Sequence, residues 1–452
     1  MIVAVVLVFL VVASVLFHFW SPWWFTPLAS NWGTIDATID LTFWVTGFVF
    51  VAINLFMAYC VWRFRYREGA LAHYEPENKK LEWWLTGLTS VGVIAMLAPG
   101  LFVWAAFVTV PEDAMEIEVL GQQWHWSSRY PGEDGNFGTV DAHLITDDNP
   151  FGMNPDDPDG QDDILVSSSL VHFPMGKPIK VLLRSKDVLH NFTVAQFRVK
   201  MDLVPGLVSF VWLIPTRTGD FEILCEELCG IGHFAMRGKV VVDEQADFDA
   251  WLADQSTYAE LAAREAGDPV AGQALYAVCA ACHGPKGEGN PALNSPKIAG
   301  QSAWYMKRQL AYFKDGTRGA HPEDVYGQQM AAMTLTLAGE KAIDDVVAYI
   351  RTLPDERAPS TVIGNVARGQ HTYGTTCGAC HGFEGQGIKA TNAPRTAGMS
   401  DWYLVTQLNN FKNGIRGAHP RDMYGMQMEL MAATLLDDEA IDDVVAYATS
   451  LR

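Results

Sequence analysis

Three long apolar runs open the chain. Ile2 to Trp20, Leu41 to Trp62 and Trp83 to Val110 contain no Asp, Glu, Lys or Arg, and the last holds Pro99 and Gly100. A helix of ~20 apolar residues crosses a bilayer core, so each run predicts a transmembrane helix. A cleaved signal peptide is the alternative for the first, but that run lacks a basic start and a clear small-x-small cleavage site. Arg63, Arg65, Arg67, Lys79 and Lys80 lie between the second and third runs, whereas Ser21 to Asp40 has no Lys or Arg. Positive loops stay in the cytoplasm, so everything after Val110 is expected outside it.

The period then changes. Ile179, Val181 and Leu183 alternate with Lys180, Leu182 and Arg184, Phe210–Pro215 and Lys239–Val242 are β-rich, and Pro and Gly clusters separate them. Met115 to Asp243 therefore reads as a β-sandwich, interrupted by an acidic insertion from Asp147 to Asp163. Calcium would suit such a loop, although lone acidic loops are usually just solvated. Glu244 to Gly267 is helix-prone and reads as a linker. A tandem repeat follows. From Cys279 and Cys377 onward, two copies match at a constant spacing of 98, with Gly319-Ala320-His321-Pro322 recurring at Gly417–Pro420 and Ala342–Tyr349 unchanged at Ala440–Tyr447. Ile343, Val346, Val347 and Ile350 are spaced for one face of a helix.

The chain has 452 residues, 49 % of them hydrophobic, and a formal net charge of -20. Apolar and acidic parts are therefore segregated. The acidity excludes nucleic acid as a partner, because phosphates require Lys and Arg. Cys60 stands alone in an apolar run, and the other six cysteines fall into three close pairs, each with a histidine within four residues. That pattern fits cofactor attachment rather than a disulfide framework.

Each repeat begins with Cys-x-x-Cys-His: Cys279, Cys282 and His283, then Cys377, Cys380 and His381. Two thiols on one helical turn can add to the two vinyl groups of a haem and leave the histidine under the iron. A zinc site would need a second ligand pair. Each repeat resembles class I cytochrome c, which implies an all-α domain and a methionine as sixth ligand. Met330 and Met333 are candidates in the first copy, and Met428 and Met431 in the second. By similarity to dihaem cytochromes with a Met-x-x-Met loop, Met330 and Met428 are preferred. His321 and His419 are alternatives, better suited to a loop or haem-propionate role.

Between the apolar and haem-bearing parts lie Cys225-x-x-x-Cys229-x-x-x-His233-x-x-Met236 and, upstream, His190. Two thiolates, two imidazoles and a thioether suit copper far better than magnesium or calcium. This string resembles the dinuclear Cu(A) centre of cytochrome c oxidase subunit II. The resemblance implies a cupredoxin-like Greek-key sandwich in which Cys225 and Cys229 bridge two coppers. His190 and His233 would be terminal ligands, Met236 a weak ligand, and the Glu227 carbonyl a ligand to the other copper. It also implies magnesium or manganese on the Glu227 side chain where subunit I packs. Gln123-Trp124-His125-Trp126 matches the family's aromatic string, with Trp124 as the electron port and His125 in place of the usual tyrosine. Glu82, at the cytoplasmic start of the third helix, matches a glutamate at the mouth of a proton channel. Helix capping is its plainer reading.

The resulting layout is multidomain: membrane helices over 1–112, the copper domain over 113–243, a linker over 244–267, and cytochrome domains over 268–354 and 365–452. The resemblance implies a bacterial inner-membrane, multi-pass subunit II with its redox domains in the periplasm. Electrons would pass from cytochrome c or a bc-type complex through two haems c to copper, then to subunit I for oxygen reduction coupled to proton translocation. No residue here would perform the oxygen chemistry. Subunit III is a further expected partner, as is the lipid bilayer. The ordinary pattern has two transmembrane helices, so the first helix is an addition without a family role. The alternatives are a Cu(A) subunit of a nitric oxide reductase and a stand-alone membrane electron carrier.

Overall fold

A computed structural model describes residues 1–21, 25–71, 75–264 and 266–451; the last residue of the second repeat, 452, lies outside the described residues. Helices α1 (Ile2–Trp20), α2 (Gly33–Arg63) and α3 (Lys79–Val108) are each long and apolar enough to cross a membrane. Their side chains point outward, Trp83 being 78 % and Phe102 79 % exposed, a surface suited to lipid and not to water. Both α2 and α3 start earlier than their apolar runs. The first turns of α2 carry Asp36 to Arg198 of the β domain. The start of α3 is capped by Asn78, whose side chain accepts from the Leu81 amide at 3.0 Å. The cap is thus Asn78, and Glu82 sits exposed in the turn behind it.

Ten strands follow: β1 (Met115–Gln122), β2 (His125–Tyr130), β3 (Ile164–Val166), β4 (Leu170–Pro174), β5 (Ile179–Ser185), β6 (His190–Val194), β7 (Val199–Leu203), β8 (Ser209–Leu213), β9 (Gly219–Leu224) and β10 (Arg237–Asp243). They form two sheets, ordered β3-β2-β1-β5-β8 and β4-β10-β9-β6-β7. The pairs β1–β5 and β4–β10 are parallel; the other ladders are antiparallel. Ile179, Val181 and Leu183 on β5 face inward, as their alternation requires. They meet Phe173, Phe192, Phe197 and Val240 in the core between the sheets.

The core also buries charge. Arg129 lies 2.6 Å from Glu118 and 3.1 Å from Asp163, and Arg184 holds the other Glu118 oxygen at 2.6 Å. Asp163 ends the acidic insertion, so this pair pins the insertion to the sheet. Asp157 in the same insertion accepts from the Thr139 amide and hydroxyl at 2.7 and 2.5 Å. These carboxylates are held by the chain's own donors. Helices α4 (Gln245–Ala253) and α5 (Tyr258–Ala263) make up the linker, and they pack on the sandwich. Phe248 is buried, and Trp251 stacks on His172 at 3.8 Å.

The first repeat consists of α6 (Pro269–His283), α7 (Ala303–Lys314), α8 (Val325–Thr334) and α9 (Glu340–Ile350). The second consists of α10 (Val366–Thr372), α11 (Gly378–His381), α12 (Asp401–Lys412), α13 (Met423–Ala432) and α14 (Asp438–Ser450). In each, the first helix crosses the last at a glycine. A Cβ on Gly272 would stand 1.9 Å from the Asp345 carbonyl oxygen, and one on Gly369 would stand 1.9 Å from that of Asp443. The unchanged Asp-Asp pair closes the same crossing. Asp345 accepts from the Asp268 amide at 2.7 Å, and Asp443 from the Asn365 amide at 2.5 Å.

One residue breaks the spacing of 98. Cys279 follows Gly272 by seven positions, but Cys377 follows Gly369 by eight. Tyr373–Cys377 forms a π-helical turn that takes up the extra residue. Tyr276 and Tyr373 consequently keep the same role, each donating to a carbonyl just past its histidine, Gly284 at 2.7 Å and Gly382 at 2.9 Å.

The two repeats face each other about a pseudo-twofold. Arg318 donates to Gln309, Tyr403 and Gln407 at 2.6, 2.7 and 3.0 Å, and Arg416 mirrors it on Gln407, Tyr305 and Gln309 at 2.6, 3.0 and 2.9 Å. His321 and His419 line a shared cavity on this axis.

Candidate metal centre and haem sites

Three segments meet at one end of the sandwich: the start of β6, the β9–β10 loop and the β1–β2 turn. Cys225 and Cys229 lie 3.7 Å apart, sulfur to sulfur, well beyond the ~2.05 Å of a disulfide. His190 Nδ1 stands 4.0 Å from the Cys225 sulfur, and His233 Nδ1 stands 3.6 Å from that of Cys229. The Met236 sulfur is 3.7 Å from Cys229, and the Glu227 carbonyl is 3.2 Å from Cys225. All six expected donors thus converge, and His190, Cys225, Cys229 and Met236 are buried. Hydrogen bonding from Cys229, against the opposing effect of burial, draws the Cys225 thiol down to about 3, whereas the neighbouring Cys225 and then burial push Cys229 up. Two thiolates this close repel unless cations sit between them. The soft donor set fits copper.

The ring of His190 is oriented from behind. Its Nε2 meets Asp187 Oδ1 at 2.7 Å, and Asp187 is itself fixed by the Gln123 and Val188 amides, both at 2.7 Å. A carboxylate there sets the tautomer and aims Nδ1 at the sulfurs. Trp124 lies against the same loop. Its indole Nε1 donates to the Cys229 carbonyl at 3.1 Å, and Gln123 Nε2 donates to the same oxygen at 2.7 Å. Glycines permit this approach: a Cβ on Gly232 would come within 2.6 Å of the indole, and one on Gly230 within 3.0 Å.

Each haem motif ends a helix. His283 Nδ1 meets the Pro296 carbonyl at 2.8 Å, and His381 Nδ1 meets that of Pro394 at 2.7 Å. Each Nδ1 therefore carries the proton, and Nε2 keeps its lone pair for a metal. Burial lowers both imidazoles below their usual range, which favours the neutral, ligating form. The four motif cysteines are free thiols, and burial pushes Cys377 and Cys380 up to about 12. This arrangement fits a thioether-linked haem in each repeat. Met330 is half-buried on α8 while Met333 is 39 % exposed; Met428 and Met431 are both half-buried on α13.

The expected copper donors, Trp124 and the second repeat lie together. Glu82 lies apart, at the start of α3. Trp124 is only 6 % exposed: the Gly230–Gly232 turn lies against its indole, and Gln427 Nε2 of α13 donates to its carbonyl. His125 is buried beside Tyr424, with ring centroids 5.7 Å apart, and Asn392 Nδ2 lies 3.3 Å from its ring nitrogens. Burial, reinforced by Lys186 and Arg308, drops His125 to about 3, so it stays neutral. Sequence reasoning missed Asp187, Gln123, the Pro296 and Pro394 carbonyls, and the partners of His125. Only Asp187 carried a local signal, three residues before His190.

Comparison with known proteins gives a consistent pattern. The family described as "Cytochrome C oxidase subunit II, periplasmic domain" matches residues 115–244, and "Cytochrome c" matches 269–354 and 366–452. An alternative cytochrome c oxidase subunit 2 of Bradyrhizobium diazoefficiens is 59 % identical over 266 residues, covering 59 % of this chain and 96 % of the relative. The cytochrome c oxidase subunit 2 of Cereibacter sphaeroides is 29 % identical over 230 residues, covering 46 % of this chain and 74 % of the relative. Among solved structures, reduced cytochrome c4 from Pseudomonas stutzeri is 29 % identical, with a TM-score of 0.34 over 41 % of this chain and 100 % of that one. The periplasmic domain of cytochrome oxidase subunit II from Bradyrhizobium japonicum is 30 % identical, with a TM-score of 0.24 over 32 % of this chain and 95 % of that one.

Proposed function

The chain belongs to the cytochrome c oxidase subunit 2 family, and on that premise we propose which residues carry electrons through it. It is a membrane-anchored subunit with a periplasmic copper domain and cytochrome c domains, and it associates with a catalytic subunit I. We assign copper to Cys225, Cys229, His190, His233, Met236 and the Glu227 carbonyl, and one covalent haem to each Cys-x-x-Cys-His motif, with Met330 and Met428 as sixth ligands. The Glu227 carboxylate is assigned to magnesium or manganese at the subunit I junction, and Glu82 to proton uptake. In this reading all three helices span the membrane, electrons come from a c-type or bc-type donor, and subunit III completes the complex.

When bound, the coppers and haems each exchange single electrons. The chain's residues make that exchange cheap in reorganisation. Buried ligands, the Asp187 brace and the proline carbonyls hold donor atoms where the metal needs them in both oxidation states. The Cys229 carbonyl, shared by Trp124 and Gln123, ties the electron port to a copper ligand. Fusing the cytochromes to the copper domain replaces a diffusing donor with a tethered one at high effective concentration.

The observation that carries the assignment is the convergence of three sulfurs, two imidazoles and the Glu227 carbonyl on one point under Trp124. Paramagnetic resonance of the purified oxidase should show one electron shared over two coppers, and a single-copper pattern rejects it. Oxygen uptake with reduced cytochrome c is expected; nitric oxide turnover without oxygen reduction rejects the oxidase reading.

A further inference from the structure

The duplicated domains are alike in sequence but not in surroundings. In the second repeat, the α13 face is buried on the copper domain. Gln427 donates to the Trp124 carbonyl, Tyr424 donates to the Ser167 carbonyl, and Lys389 pairs with Asp148. Gln122 Nε2 donates to the Ala390 carbonyl at 2.6 Å, and Ala379 and Cys380 of the haem motif pack on the sandwich core. In the first repeat the matching face of α8 is open. Val325 is 54 % and Tyr326 50 % exposed, whereas Met423, the counterpart of Val325, is 1 % exposed. Met333 is 39 % exposed on the same helix. Arg308 of the first repeat reaches this region by gripping Asn392 of the second, at 2.8 and 2.9 Å.

One face, two fates: where it is covered, it is covered by a redox domain. We infer that the second repeat is the immediate electron donor to the Cys225–Cys229 centre, and that the first repeat is the outer port. The port is the face of Val325, Tyr326 and Met333, and its partner is a reduced one-electron carrier protein that presents an apolar redox edge. Trp124 is then an internal relay reached through this chain, not a landing site for a soluble donor. Each passage moves one electron. The carrier loses one to the first repeat, the first repeat loses one to the second, and the second loses one to the copper centre, with no bond made or broken. The inference rests on the reading of both repeats as haem-bearing.

The test compares two double variants of the purified oxidase. Tyr424→Ala/Gln427→Ala loosens the inner contact, and Val325→Glu/Tyr326→Glu charges the outer face. Chemical modification of the His125 ring reads the contact, because Asn392 and Tyr424 of the second repeat lie against it. In the wild type the ring, 4 % exposed, should be protected. In the inner variant it should react about tenfold faster, the factor equal to about 1.4 kcal/mol, and in the outer variant it should stay protected. On rapid mixing with reduced cytochrome c, the outer variant should slow the concentration-dependent reduction of the first repeat about tenfold. The inner variant should slow reduction of the copper centre instead. The order is overturned if the outer variant exposes the His125 ring, or if the inner variant slows capture from cytochrome c while copper reduction keeps its wild-type rate. Failure of the underlying reading looks different: fewer than two covalent haems by mass, or no shared-electron copper signal, in the wild type itself.

Discussion

Replacing Gly369 with alanine tests how closely the first and last helices of the second repeat cross. A helical Gly→Ala change normally stabilises by about 1 kcal/mol, since alanine loses less backbone entropy. Here the new Cβ would sit 1.9 Å from the Asp443 carbonyl oxygen, where ordinary contact starts at 3.4 Å. The obstacle is backbone, so no rotamer relieves it and the helices must separate. Separation also strains the Asp443–Asn365 cap and the Arg368–Asp443 pair at 2.6 Å. Overpacking of this kind costs about 3 kcal/mol at the upper end of its usual range, which leaves a net loss of about 2 kcal/mol. With a urea dependence of about 1 kcal/mol per molar for a domain this small, the midpoint should fall by about 2 M. Gly374 supplies the control. It lies five residues on, in the π-helical turn, and a Cβ there meets nothing within 4 Å. Gly374→Ala should hold or raise the midpoint. The assay is urea unfolding of the full chain followed by haem circular dichroism. Equal midpoints for Gly369→Ala and the wild type would refute the tight crossing.

Four further outcomes are expected. Asp187→Asn frees the His190 ring and should weaken copper binding about ten- to hundredfold, as read by competition with a chelator. Arg129→Met leaves Asp163, 0 % exposed, without its cation and Glu118 with Arg184 alone, and should cost about 3–5 kcal/mol in denaturant unfolding. Burial, only partly countered by Arg129, raises Asp163 from 3.8 to about 6. Its contribution is therefore fully present below the unfolded value and lost as pH rises through about 6. The stability difference between wild type and Asp163→Asn should shrink across that window, and a difference flat from pH 4 to 7 contradicts it. Met330→Ala should lower the midpoint potential of one haem and remove its thioether-ligated spectrum, while Met333→Ala leaves both in place; the reverse result moves the sixth ligand to Met333.

Local patterns were legible and long-range ones were not. The loop Cys225–Met236 contains five of the six proposed copper donors within twelve residues, so a reader of the chain meets nearly the whole candidate site at once. The inward face of α9 follows from the spacing of Ile343, Val346, Val347 and Ile350. By contrast, His125 meets Asn392 and Tyr424 across more than 260 residues, and nothing in the period of either segment encodes that meeting. The sheet order was equally hidden, since the parallel β1–β5 and β4–β10 ladders join segments by register rather than by proximity in the chain. The first turns of α2 lie outside the apolar run because Asp36 and Asp40 do not look like membrane residues; Asp36 pairs instead with Arg198 of the β domain.

That polar end of α2 bears on how the subunit works. A copper centre that serves a membrane partner must keep a fixed height above the bilayer, yet a single peptide connection from α3 to β1 would let the sandwich swing. Three ties remove that freedom. Arg198 grips Asp36 through two nitrogens at 2.7 and 2.9 Å, and Arg198 also holds the Thr26 carbonyl at 2.7 Å. Trp32 Nε1 donates to the Trp212 carbonyl at 2.8 Å, and Trp212 Nε1 donates to the Ala106 carbonyl at 3.1 Å, so the two indoles stitch α2 to β8 and β8 to the end of α3. Trp32 also packs against Phe107 and Trp212 with ring centroids 5.1 and 4.8 Å apart. Both indoles are buried, and each N–H finds a carbonyl acceptor within the joint. Two helices thus enter the sandwich at one joint, and β8 lies beside β5 in the same sheet as β1 and β2, whose turn carries Trp124. Rigidity at this joint therefore continues through one sheet to Trp124.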